Sequence, residues 1–303
     1  MAPLSGRSSA RRGVASTVYA GCVLLATLLG CSRPAPEQKE HLAAGGSGAG
    51  ASALPGAGPQ PSERTPLVVF AASSLTDAFN DLEKSFEAAN ANVDVTLSYG
   101  GSQVLKLQIS EGAPSDVFAS ADDAHMRELV SAGHAQPSQT FAFNELVIVV
   151  PPDNPAHVAE LKDLPRAERL VIGAASVPVG RYTREMLARA GKVYGQSFER
   201  DALARVVSEE SNVRLVRAKV ELGEADAAIV YRTDAAAPAK VKQVAIPAEL
   251  NVRASYPIAV LTKSAQPELA RRWVSHVLSP AGKAVLGARG FLVDGDSVAR
   301  GTP

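Results

Sequence analysis

The amino-acid sequence predicts an α/β protein in which two lobes, joined by two crossover strands, close on a cleft like a clamshell. Short apolar runs of strand length alternate with amphipathic stretches of helical spacing from about residue 66 onward. Two of the apolar runs, at 146–150 and 258–262, divide this part of the chain and would carry it into a second lobe and back. With 303 residues, 46% of them hydrophobic, the chain is long enough to bury a sizeable core.

The first lobe is expected to comprise residues 66–148 and 250–303. A buried strand at 67–70 precedes a helix whose apolar residues Leu75, Phe79 and Leu82 follow helical spacing. The other predicted elements of this lobe are strands at 93–97 and 116–119, helices at 104–109 and 122–131, and, after the return strand, helices at 267–278 and 280–288.

The second lobe is expected to comprise residues 149–249. The crossover strand at 146–150 ends at Pro151 and Pro152, because proline cannot continue a strand ladder. The predicted elements that follow are a strand at 170–173, helices at 181–190 and 213–222, and a strand at 227–231.

Residues 1–30 have the features of an export signal, and residues 31–65 those of a tether. Arginines without acidic residues precede a short apolar segment at 13–30, which is typical of a secretory signal peptide. The signal ends in Leu28-Leu29-Gly30-Cys31, which resembles a bacterial lipobox and predicts a lipid on Cys31; the alternative is an ordinary signal peptide cleaved elsewhere. The segment after it is rich in Gly, Ala, Ser and Pro and predicts a flexible link. We therefore expect a periplasmic or cell-surface protein with a lipid anchor in the membrane.

The charge balance and the missing catalytic motifs exclude several classes of function. Lys+Arg and Asp+Glu number 31 each, so no basic field is available to hold nucleic acid. The sequence has no G-x-S-x-G, Walker or G-x-G-x-x-G motif, and its five histidines do not show metal-ligand spacing. We expect neither catalysis nor a cofactor, and the alternative of an exported hydrolase predicts turnover of simple esters or phosphates.

Four strand-to-helix junctions combine glycine or hydroxyl residues with the start of a predicted helix. They lie at 71–77, 99–103, 176–182 and 211–214, and the last is followed by a strand that ends at Tyr231. Helix N-termini bind anions through their backbone N–H groups, and glycine lets the backbone approach a ligand closely. Each junction also has a simpler interpretation. Ser74 to Asp77 matches a helix capping box, Asn212 is a candidate helix cap, and Tyr231 could be a half-buried aromatic residue.

Taken together and in this order, the segments resemble the motifs of the periplasmic molybdate-binding proteins of ABC importers. The resemblance extends over residues 67–293, and its motifs are the runs at 70–76, 112–118, 177–182 and 229–235. It implies the fold of the type II periplasmic binding proteins and a solute-binding function. It also implies that the protein is a monomer whose partners are an ABC permease and its ATPase.

The resemblance further implies which residues bind the oxyanion. Matched residue by residue, the binding groups are the hydroxyls of Ser74, Ser102 and Tyr231 and the backbone N–H groups of Val179 and Val213. The third-motif residue is usually alanine in that family, so Val179 is a departure. Its N–H keeps the expected role, whereas its larger side chain could change the size of the pocket.

The expected ligand is molybdate, with tungstate as a close competitor, and it is cargo rather than a cofactor. A dianion without a proton suits a site made only of hydrogen-bond donors, whereas protonated phosphate needs an acceptor as well. The alternatives are a binding protein for another oxyanion such as sulfate, one for a small organic anion, or a sensor or adhesion lipoprotein that kept the fold without the transport function.

Overall fold

The computed structural model describes residues 64–236 and 240–293. The predicted signal peptide, Cys31 and almost all of the predicted tether lie outside the described residues. Within the part described, no helix is both long and apolar enough to span a membrane.

The described residues form an alternating series of strands and helices. The strands are β1 (Thr65–Ala72), β2 (Val93–Gly100), β3 (Val117–Ala119), β4 (Gln139–Val150), β5 (Leu170–Gly173), β6 (Val206–Glu210), β7 (Ala227–Tyr231), β8 (Lys242–Ala245) and β9 (Arg253–Val260). The helices are α1 (Thr76–Ala89), α2 (Ser102–Ser110), α3 (Asp123–Ser131), α4 (Pro178–Tyr194), α5 (Ser197–Leu203), α6 (Val213–Glu221), α7 (Arg232–Ala235), α8 (Pro267–Leu278) and α9 (Pro280–Ala288).

The strands form two groups that share β4. In the first sheet the order is β2-β1-β3-β9-β4, with β1 parallel to β2 and β3, and β9 antiparallel to its neighbours. In the second sheet the order is β4-β7-β5-β6, with β5 parallel to both β6 and β7, and β8 also pairs with β4. Parallel strands separated by helices are the arrangement that the alternating sequence pattern predicts.

Strand β4 carries the chain from one sheet to the other. Its residues 139–145 pair with β9, whereas residues 146–149 pair with β7 and residues 147–150 with β8. The sequence predicted only the second part, because 146–150 is the continuous apolar run. The first part is partly exposed, so its apolar pattern is weaker. The return strand β9 likewise begins at Arg253, five residues before the predicted start, since its first residues alternate between exposed and buried positions.

Both faces of the first sheet are buried, which explains the continuous apolar run in β1. Leu67, Val69 and Ala71 belong to the main core, whereas Phe70 belongs to a smaller core on the other face, against α2 and α3. The main core includes the fully buried Trp273 of α8, whose ring contacts Phe79 and Phe86 of α1 edge to face. These contacts pack α8 against α1.

Four elements were missed in the sequence: α5, α7, β6 and β8. The strands β6 and β8 are short and have no fully buried residue, so neither produces an apolar run. Helix α4 was predicted to begin at Arg181 but begins at Pro178, because proline at the first helical position has a fixed φ suited to a helix and lacks only an N–H that would have no partner there.

Candidate functional site

A cavity between the loops of the two sheets contains all five residues that the sequence proposed for the site. The lining residues are uncharged and come from six strand-to-helix junctions: Ala72, Ser73, Ser74, Gly100, Gly101, Ser102, Ala121, Val177, Pro178, Val179, Asn212, Val213 and Tyr231. The structure therefore brings Ser74, Ser102, Val179, Val213 and Tyr231 to one place.

The cavity lies where several helices begin. Ser74 is in a 3-10 turn that leads into α1, and Ser102 and Val213 are the first residues of α2 and α6. Val179 is the second residue of α4. The first N–H groups of a helix have no partner within that helix, and α2 and α4 have no side-chain cap. Such N-termini attract negative charge, which makes this a suitable place for an anion.

The hydroxyls of Ser74 and Ser102 are both buried, and each makes a hydrogen bond to another group of the protein. The Ser74 Oγ lies 3.1 Å from the Tyr256 hydroxyl, and the Ser102 Oγ accepts a hydrogen bond of 3.0 Å from the backbone N–H of Ala121. The capping-box interpretation of Ser74 is wrong. Helix α1 begins only at Thr76 and has no side-chain cap, and Asp77 pairs with an arginine of α6 instead.

The Tyr231 hydroxyl is buried, and no described residue is its hydrogen-bond partner. The residue is 1% exposed, and its hydroxyl oxygen contacts no hydrogen-bonding group among the described residues. Burial raises the pKa of Tyr231 well above its ordinary value, so the hydroxyl keeps its proton and can donate it. A buried polar group without a partner is destabilising by about 1–3 kcal/mol, which points to a ligand that accepts from it.

Val179 and Asn212 show how the backbone of the site is supported. Asn212 accepts a hydrogen bond of 3.1 Å from the N–H of Leu215, which confirms it as the cap of α6. The Cγ1 of Val179 lies over Gly173, where a Cβ would come within 2.8 Å of it. The glycine of β5 therefore makes room for part of the side chain that distinguishes valine from alanine at this position.

The arginines near the motifs do not line the cavity. Each is paired with a carboxylate: Arg181 with Asp122 at 2.6 Å, Arg214 with Asp77 at 2.6 Å, and Arg232 with Glu145 at 3.6 Å. The charge of each guanidinium is thus offset by its neighbour. Any attraction for an anion in the cavity comes mainly from neutral donors.

A buried carboxyl lies close behind Ser74. Asp234 lines a neighbouring cavity together with Ser74, and burial raises the pKa of Asp234 to about 7 against the opposing effect of Arg214 and Arg217. At neutral pH this carboxyl is therefore partly protonated. The negative charge that it would otherwise place near the anion cavity is reduced.

Two contacts of the site were missed in the sequence. Tyr256 and Asn144 lie in β9 and β4, and the hydroxyl of Tyr256 contacts Ser74 across a separation of 182 residues. No local pattern marks either residue, because their roles depend on which strands the fold makes neighbours.

In residues 64–236 and 240–293 no group of three or more His, Cys, Asp or Glu could hold a metal ion.

The sequence of this chain is similar to those of known binding proteins. Residues 67–292 match the family described as bacterial extracellular solute-binding protein. The chain is 40% identical over 238 residues to the molybdate-binding protein ModA of Mycobacterium tuberculosis, covering 78% of this chain and 87% of that one. It is 28% identical over 236 residues to the putative ABC transporter substrate-binding lipoprotein YvgL of Bacillus subtilis, covering 77% and 88%.

The fold has a solved counterpart. The periplasmic molybdate-binding protein of Azotobacter vinelandii superimposes with a TM-score of 0.65 at 23% identity, covering 75% of this chain and 99% of that one. At this identity the match concerns the fold alone. It confirms the predicted fold of the type II periplasmic binding proteins.

Proposed function

Because the chain belongs to the family of bacterial extracellular solute-binding proteins, we propose that it binds molybdate outside the cytoplasm and delivers it to an ABC import permease. The observation that carries the proposal is a cavity at helix N-termini whose lining has hydroxyl and backbone donors but no charged side chain. The 40% identity to a relative named as a molybdate-binding protein supports the choice of ligand.

The chemistry of the cavity suits a dianion that carries no proton. The hydroxyls of Ser74, Ser102 and Tyr231 and the N–H groups of Val179 and Val213 can all donate. No carboxylate is present in the lining to repel the anion or to accept a proton from it. Molybdate and tungstate are nearly the same size and should both bind, whereas the smaller sulfate would leave some donors too far away.

Closure of two lobes around the ion would complete the site. We assign residues 66–148 and 250–303 to one lobe and 149–249 to the other. Contacts that then join the lobes at the edge of the cavity include the Arg181–Asp122 and Arg214–Asp77 pairs. Two hydrogen bonds do so as well, one of 2.9 Å from Arg214 Nε to the carbonyl of Ser73 and one of 2.8 Å from Gln103 Nε2 to the carbonyl of Ser211. These groups would separate on opening, and the permease would recognise the closed form.

The same proposal covers location and partners. Cys31 would carry a lipid that anchors the exported protein to the membrane, and residues 31–65 would act as the tether. The partners are the permease, its ATPase and the oxyanion, and the protein acts as a monomer without a cofactor. Members of this family are binding proteins rather than enzymes, which agrees with the absence of catalytic motifs from the sequence.

Melting of the purified protein with molybdate, tungstate, sulfate or phosphate tests the proposal. A ligand that binds only the native state stabilises it by about 2.7 kcal/mol at a hundred times its Kd, which raises Tm by about 5–10 °C. We expect this rise with molybdate and tungstate but not with sulfate or phosphate. A rise in Tm with sulfate alone would mean that sulfate rather than molybdate is the ligand. No rise in Tm with any of the four anions would exclude the proposed function.

Two serine variants in α2 test whether molybdate stabilises the protein by binding in this cavity. Ser102→Ala removes a hydroxyl from the cavity at the start of α2, whereas Ser110→Ala removes an exposed one at the end of the same helix. The rise in Tm with molybdate should shrink in the first variant and persist in the second. Equal shifts in both would contradict the assigned site.

A further inference from the structure

The two crossover strands contribute a buried polar pair behind the cavity. Asn144 of β4 and Tyr256 of β9 are both fully buried. The Asn144 Oδ1 accepts a hydrogen bond of 3.0 Å from the backbone N–H of Glu145. Because a backbone N–H can only donate, this contact fixes the amide orientation, and the Nδ2 must face the other way.

The fixed amide determines the direction of the next hydrogen bond. The Asn144 Nδ2 donates to Thr233 Oγ1 at 2.8 Å and to the Tyr256 hydroxyl at 3.4 Å. The Tyr256 hydroxyl therefore accepts from the amide and has one proton of its own to donate. Among the described residues, the acceptor in reach is the Ser74 Oγ at 3.1 Å.

Ser74 is thereby left with a proton for the cavity. Its oxygen accepts from Tyr256, so its own O–H is not needed on the protein side. The same holds for Ser102, whose oxygen accepts from the backbone N–H of Ala121. With the unpartnered hydroxyl of Tyr231, three O–H groups then remain to donate into one cavity.

We infer that Asn144 and Tyr256 are positioning residues that fix Ser74 as a hydrogen-bond donor and so restrict the cavity to oxyanions without a proton. The inference rests on the proposed function and adds the cause of its selectivity. A serine hydroxyl can donate or accept, and a free Ser74 could accept the proton of hydrogen phosphate. The chain from Asn144 through Tyr256 fills one of the two acceptor positions on the Ser74 oxygen and leaves its proton to point toward the ligand, which favours donation over acceptance.

Replacing Tyr256 by phenylalanine breaks the chain next to Ser74. We expect the Kd for molybdate to rise about tenfold, because a hydrogen bond to a charged ligand loses its oriented donor. We also expect phosphate to compete with molybdate more effectively than in the wild type, since Ser74 can now accept. Tyr194→Phe is the control. It deletes a hydroxyl from an exposed tyrosine at the end of α4 whose ring contacts Phe198, and should change Kd by less than about twofold.

A double-mutant cycle with Ser74→Ala separates positioning from a general structural effect. If Tyr256 acts through Ser74, then Tyr256→Phe should not weaken molybdate binding further once Ser74 is alanine. Additive losses in the double variant, or unchanged competition by phosphate in the single one, would overturn the inference. If the wild type itself binds no molybdate, the proposed function fails and this inference fails with it.

A second variant covers the case in which Tyr256→Phe does not fold. Asn144→Asp keeps the shape of the side chain but replaces the amide donor that faces Tyr256 with an acceptor. The Tyr256 proton should then turn toward the new acceptor and away from Ser74. We expect the same loss of molybdate affinity and the same gain in competition by phosphate. A wild-type affinity for molybdate together with wild-type competition by phosphate in Asn144→Asp would overturn the inference.

Discussion

Replacing Tyr231 by phenylalanine is expected to weaken molybdate binding by about 10- to 100-fold and to leave the ligand-free protein at least as stable as the wild type. The binding loss follows because a hydrogen bond to a charged ligand contributes about 1.5–3 kcal/mol. The stability follows because the hydroxyl is buried with no partner among the described residues, so its removal relieves an unsatisfied group. Few substitutions are expected to act in opposite directions on binding and on stability.

Calorimetric titration with molybdate and a melting curve without ligand check the two halves of this prediction. Tyr194→Phe is a suitable control, because Tyr194 is an exposed tyrosine at the end of α4 whose ring contacts Phe198. This variant should change neither the affinity for molybdate nor the Tm of the ligand-free protein. Wild-type affinity in Tyr231→Phe would remove this hydroxyl from the site, and a large drop in Tm would show that the hydroxyl has a structural partner.

Gly180→Ala is expected to destabilise the protein by about 1–3 kcal/mol and to weaken molybdate binding as well. Gly180 is the third residue of α4, and a Cβ there would overlap the backbone carbonyls of Gly173 and Ala174. These are backbone atoms at the end of β5 that cannot move independently. The helix start would have to shift instead, and it carries the N–H of Val179 with it.

Gly191→Ala provides the matched control within the same helix. The nearest atom to a Cβ at Gly191 is the Cβ of Glu199 at 3.8 Å, an ordinary contact. Because alanine is the better helix former, this variant should be more stable by up to about 1 kcal/mol with unchanged affinity. Urea unfolding and titration of both variants measure the difference. Equal stability of the two would mean that α4 does not pack on β5 as closely as described.

The parts of the fold that the sequence predicted well are those with strong local signals. Helices α8 and α9 begin at Pro267 and Pro280, and their bounds match the prediction because proline marks the first turn and the apolar spacing continues to the end. Strand β1 was equally clear because both of its faces are buried. The short and partly exposed strands β6 and β8 gave no such signal, since edge strands bury few side chains.

The residues of the site differ in the same way. Some are marked by a local sequence motif, whereas others depend on parts of the chain that are distant in sequence. Ser74, Ser102, Val179 and Val213 each belong to a junction whose residues are consecutive in the chain, so sequence motifs can identify them. Their convergence in one cavity could be expected from the rule that open α/β sheets bind ligands at the carboxyl ends of their strands. Tyr256 could not be found in this way. Its contact with Ser74 depends on the pairing of β9 with β3 and β4.

X-ray diffraction from crystals grown with molybdate, recorded at the molybdenum absorption edge, would show directly where the ion binds. We expect one anomalous peak inside the cavity, with the oxyanion within hydrogen-bonding distance of the hydroxyls of Ser74, Ser102 and Tyr231 and the N–H groups of Val179 and Val213. A peak at a surface arginine, or an empty cavity in crystals soaked with excess molybdate, would contradict an oxyanion site built from neutral donors.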